Sequence, residues 1–146
     1  MYLAKKLKVL LIISLIIFLN IRTSIALENK ILFKVNNEII TTIDIFEEIR
    51  FLKSFNPEIS NLDETDLFEI SKNSILRDKV KKIEIMNFVK ELKVDDKFLL
   101  GFIKNKYSKI GINSIEKFEN YLSDNNLNRE NIMEKFYIQI IWNDVI

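Results

Sequence analysis

Cysteine and histidine are absent from the 146 residues, glycine occurs twice and proline once. Without cysteine there is no disulfide, whatever compartment the chain occupies. Without either residue type there is no Ser-His-Asp or Cys-His nucleophile system, and no zinc site built on imidazole or thiolate. Gly101 and Gly111 are the only glycines. A Gly-rich phosphate loop and a dinucleotide-binding fingerprint both need more, so chemistry driven through those motifs is excluded and no cofactor is expected. The acidic groups Asp63-Glu64, Asp66, Glu69 and Asp95-Asp96 lack the spaced oxygen ligands and turn glycine of a calcium loop. They stand at expected helix starts, where acids are favourable in any case. No catalytic and no metal-ligating residue is assigned.

Charge is nearly balanced, with 22 basic and 21 acidic residues, but unevenly distributed. Lys5, Lys6, Lys8 and Arg22 are the only charges in the first 26 residues; the remainder has 18 basic and 21 acidic residues, a net of −3. A mildly acidic body without a basic stripe does not suit nucleic acid. The first segment combines a basic start, an apolar run from Val9 to Leu19 broken only by Ser14, and Ser24-Ile25-Ala26. This is the layout of a secretory signal peptide, with cleavage expected after Ala26. A spanning helix needs about 20 apolar residues, so the run is short for an anchor, and the alternative is an uncleaved N-terminus that holds a structural module at the inner membrane. The expected organisation is a signal peptide over 1–26 and one domain over 27–146. The membrane is met only during export, and the mature chain lies outside the cytoplasm.

Downstream, Ile31-Leu32-Phe33-Lys34-Val35 and Ile39-Ile40-Thr41 flank Asn36-Asn37. Asparagine tolerates positive φ, so a two-strand hairpin is expected. Five helical stretches follow. The first runs from about Ile43 to Lys53, capped by Thr42 and stopped by Asn56-Pro57. Residues 58–65 read as a polar loop. The second runs from about Asp66 to Leu92. The third follows an Asp95 cap to about Ser108, with Gly101 inside it explained by a close helix contact and Gly111 as a C-terminal cap. The fourth spans Ile115 to Asp124 behind a Ser114 cap, and the fifth follows Asn128 toward Ile146. The fold class is therefore mainly α: a short N-terminal β-hairpin and a bundle of about five helices.

Helix two carries two apolar stripes at helical spacing. One comprises Phe68, Ile75, Leu76, Val80, Ile83, Met86 and Val89. The other comprises Leu67, Ile70, Ile85, Phe88 and Leu92. Lys79, Lys81 and Lys82 read as a solvated face. The second stripe has three open readings: packing on a neighbouring helix, docking of a C-terminal segment or a second copy, or a groove for extended apolar peptide.

The stretch Phe33-Lys34-Val35-Asn36-Asn37-Glu38-Ile39-Ile40-Thr41-Thr42-Ile43-Asp44-Ile45 resembles the opening of the SurA N-terminal domain. Ile112-Asn113-Ser114-Ile115-Glu116-Lys117-Phe118 and Leu127-Asn128 through Ile141 look like that domain's last two helices. The resemblance implies a SurA N-terminal, trigger-factor C-terminal-like helical fold. It also implies a periplasmic, ATP-independent chaperone whose partners are unfolded or nascent outer-membrane proteins. Such proteins usually continue into parvulin-type prolyl isomerase domains, which typically carry an active-site histidine. These 146 residues have none, so isomerase activity is not expected of them. The alternative is a fragment of an isomerase whose catalytic domain lies elsewhere.

Overall fold

The computed structural model describes Lys6 and residues 29–145. The expected signal segment, apart from Lys6, and the cleavage position after Ala26 lie outside the described residues. Strands β1 (Ile31–Val35) and β2 (Glu38–Thr41) pair antiparallel through Asn36-Asn37. Asn36 supplies the left-handed residue at φ 53°, the role that suits asparagine. The pairing slips between Ile31 and Phe33, leaving an extra residue in β1, which is a bulge. Thr42 N–H then donates to the Lys30 carbonyl, carrying the hairpin straight into the first helix.

The helices are α1 (Thr42–Phe55), α2 (Glu64–Ile85), α3 (Asp96–Tyr107), α4 (Ile115–Asp124) and α5 (Arg129–Val145). The mainly helical fold with a leading hairpin is as expected, and most starts are fixed locally. Thr41, rather than Thr42, caps α1. Its hydroxyl accepts from Asp44 N–H, and the Asp44 carboxylate accepts from Thr41 N–H at 2.7 Å, which is a closed capping box. Asp63, Asp95, Ser114 and Asn128 likewise accept from backbone N–H groups two or three residues on. Pro57 ends α1 and opens a short 3-10 turn, Pro57–Asn61, within the expected loop.

Two departures matter. First, α2 stops at Ile85, seven residues short of Leu92. The last carbonyls are taken up by a tightening turn: Asn87 N–H bonds Glu84 O, and Phe88 N–H bonds Ile85 O. Second, Gly101 is exposed, and a Cβ there would meet nothing within 4 Å. No close helix contact accounts for this glycine. Gly111, at φ 86°, does hold the left-handed position expected of it.

The core has two parts. The larger is built by Leu99, Ile103, Tyr107, Phe118, Leu122, Ile132 and Phe136, joined by Phe55 from α1. The Phe55 ring lies 4.6 Å from Tyr107 and 5.2 Å from Tyr121, centroid to centroid. Tyr107 stacks on Phe136 at 5.5 Å. Such ring pairs add about 0.5–1.5 kcal/mol each beyond area burial. The smaller part is Ile40, Ile45 and Ile75, where the hairpin closes on α1 and α2. Helix α5 packs on both α2 and α3.

Candidate functional site

On α2 the buried or half-buried inner stripe is Leu67, Ser71, Ile75, Asp78, Lys82 and Ile85, spaced 4, 4, 3, 4 and 3. Leu67 and Ile85, expected on a second face, thus share one broad stripe with Ile75 and are buried. The stripe is half polar, so apolar residues alone do not trace it. Ile70 is 38% exposed at its edge. Phe88 and Leu92 lie beyond the helix end, in the connection 86–95, with Phe88 74% exposed and Leu92 half-buried. Of the five expected groove residues, Ile70, Phe88 and Leu92 therefore remain surface positions. Phe98, at the start of α3, is 66% exposed, and Met86 is exposed as well. The α2–α3 connection is thus flanked by unburied aromatic and thioether side chains.

The lysines of α2 are not a solvated face. Lys79 Nζ reaches Glu38 Oε2 in β2 at 2.7 Å. Lys82 Nζ is 2.9 Å from Glu134 Oε1 in α5 and 3.6 Å from Glu38 Oε1. Lys81 donates to Gln139 Oε1 at 3.2 Å and lies 5.5 Å from the Trp142 ring centroid. These three side chains tie α2 to the hairpin and to α5. The Lys79 hydrogen bond, followed by the charges of both lysines, holds the Glu38 carboxyl below its ordinary pKa against the opposing effect of burial. Burial works against the Lys82 ammonium, but Glu134 and Glu38 outweigh it and raise its pKa.

At the junction of the two core parts stands a buried ionic cluster. Glu48, 4% exposed, follows Ile45 by one turn and precedes Phe51 by one turn. Its Oε2 lies 2.8 Å from Lys135 Nζ, which also holds Asp78. Lys135 Nζ sits 5.3 Å from the Phe51 ring centroid. Burial lowers the affinity of Lys135 for its proton, but the charges of Glu48 and then Asp78 reverse the effect, so its pKa is raised. Glu48 Oε1 has no hydrogen-bond partner among the described residues. The cluster borders a pocket of about 130 Å³ between α1, α2 and α5, closed by Asn126, Leu127 and Asn128. Its two carboxylates are fixed by one ammonium. Among the described residues, no three acidic side chains converge to hold a metal ion, and no helix is long and apolar enough to cross a membrane.

These ion pairs were not legible beforehand, since the partners of Lys79, Lys82 and Lys135 lie 41 or more positions away in the chain. Compared with protein-family models, curated proteins and solved structures, the chain finds no match.

Proposed function

We propose that the protein is an exported polypeptide-binding domain of the SurA N-terminal type, acting in the periplasm and holding unfolded outer-membrane proteins without ATP. The observation that carries this reading is the exposure of Phe88, within the α2–α3 connection, and of Phe98, at the start of α3, at 74% and 66%. Two large rings left in water beside an exposed methionine are the adaptable apolar surface that variable clients require. The hairpin motif and the basic-apolar leader support the same reading from the sequence side. A holding domain needs no catalytic group, only a surface whose contacts are apolar and loosely specified.

The test is suppression of aggregation when an unfolded outer-membrane protein is diluted into buffer with the purified protein at several-fold molar excess and no nucleotide. Suppression is expected. Aggregation at the unassisted rate refutes the proposal. The F88S/F98S double variant should fold like the parent, because both rings are already solvated, and should lose most of the suppression. Undiminished suppression by a folded double variant refutes the assignment to these two rings.

A further inference from the structure

Between α3 and α5 lies an open cleft lined by Phe102, Asn105, Lys106, Lys109, Gln139 and Asn143. No carboxylate is among these residues, which is unusual for this chain. Three other lysines that bridge elements, Lys79, Lys82 and Lys135, each hold an acid, while Lys81 holds the amide of Gln139. Among the described residues, Lys106 holds no acid. Lys106 is an exposed residue whose Nζ lies 5.3 Å from the Phe102 ring centroid and 5.7 Å from that of Tyr107, so its ammonium sits against two rings. The last turn of α3 favours cations through the helix dipole, which accounts for a lysine there but not for its being folded onto the rings toward α5.

The amides beside it have a fixed sense. Lys81 can only donate, so Gln139 Oε1 must face it. The Gln139 Nε2 then donates to Asn143 Oδ1 at 2.9 Å. That bond fixes the sense of the Asn143 amide, whose Nδ2 hydrogens are donors, and Asn143 is one of the residues lining the cleft. The relay runs Lys81 to Gln139 to Asn143, with every donor turned the same way, and it ends at a residue lining the same cleft as Lys106 and Lys109. Burial lowers the proton affinity of Lys106; Asp78 opposes this, while the charges of Lys81 and Lys135 add to it.

We propose that this cleft binds a phosphoryl group, with Lys106 and Lys109 supplying charge and the Asn143 amide supplying a directed hydrogen bond. Several ammonium and amide donors without an acid match a phosphoryl group, an anion with several acceptor oxygens, better than they match a lone carboxylate. Two sources share this chemistry, a small phosphate ester in solution and the headgroup of an anionic phospholipid. The site is separate from the α2–α3 connection and does not rest on the polypeptide-binding reading.

The experiment is a titration of the purified protein at constant ionic strength, followed by the NMR signals of Asn105, Lys106, Lys109 and the Asn143 side-chain amide. The probes are inorganic phosphate, glycerol 3-phosphate and vesicles containing phosphatidylglycerol. Saturable shifts at those positions are expected with phosphate probes and not with chloride. Lys106→Gln should weaken binding about tenfold, as loss of a charge-assisted hydrogen bond implies. The exposed Lys117→Gln should leave binding unchanged, and both variants should melt with the parent. Vesicle binding without binding of the soluble esters assigns the site to lipid, and the converse assigns it to a soluble ester. Equal shifts with chloride, or a folded Lys106→Gln variant that titrates like the parent, overturns the proposal.

Discussion

Replacing Lys135 by Met isolates the buried ionic cluster. Methionine retains an unbranched stem over Phe51 but removes the cation between Glu48 and Asp78. Asp78 keeps about a quarter of its side-chain surface in solvent and can be rehydrated in place. Glu48 cannot, since it is 4% exposed. Stranding one buried carboxylate costs about 3–5 kcal/mol. The 117 residues from Asn29 to Val145 imply an unfolding entropy of about 0.25 kcal/mol/K, so even the lower figure lowers the melting temperature by about 12 °C. Urea unfolding followed by circular dichroism should show the midpoint falling at an unchanged m-value. The triple variant K135M/E48M/D78L, which removes every charge, should recover most of the loss, since an apolar replacement of a buried ion pair is often neutral or stabilising. A single variant that costs under about 1 kcal/mol, or a triple variant no better than the single, refutes the claim that an uncompensated buried charge is what matters here.

The two glycines should respond in opposite directions. Gly101→Ala should stabilise by about 0.5–1 kcal/mol, because an exposed mid-helix glycine gains helix propensity at no steric cost. Gly111→Ala should destabilise by about 1–2 kcal/mol, because an alanine side chain disfavours φ 86°. Alkaline titration followed by phenolate absorbance should find Tyr107 protonated well above its ordinary range near pH 10, because burial disfavours the phenolate. The unfolded chain then binds fewer protons than the native one, so stability is complete below about pH 10 and declines as pH rises above it. A Tyr107 phenol that ionises near pH 10 in a chain still folded contradicts that burial.

Short-range chemistry made much of this fold legible. Asn36, Asp95, Ser114, Asn128 and Gly111 act through hydrogen bonds or φ values that span two to four residues, so the residue type and its neighbours suffice. The same holds for Pro57, which ends α1 regardless of what packs on it. The sequence also sets the charge of each region, the absence of thiol and imidazole, and the apolar residues available for a core. It cannot place α2's end, because no glycine or proline stands between Pro57 and Gly101 and a tightening turn does the work. Nor can it pick α2's inner stripe, since Ser71, Asp78 and Lys82 sit there beside Leu67, Ile75 and Ile85. Those polar residues are tolerated inside because Glu38, Glu134 and Lys135 arrive from other elements to meet two of them. Whether a lysine on a helix is solvated, paired with a buried acid or folded over a ring depends on which partner faces it. That is decided only when β2, α2 and α5 are brought together, because Coulomb and hydrogen-bond energies act over a few ångströms of space rather than along the chain.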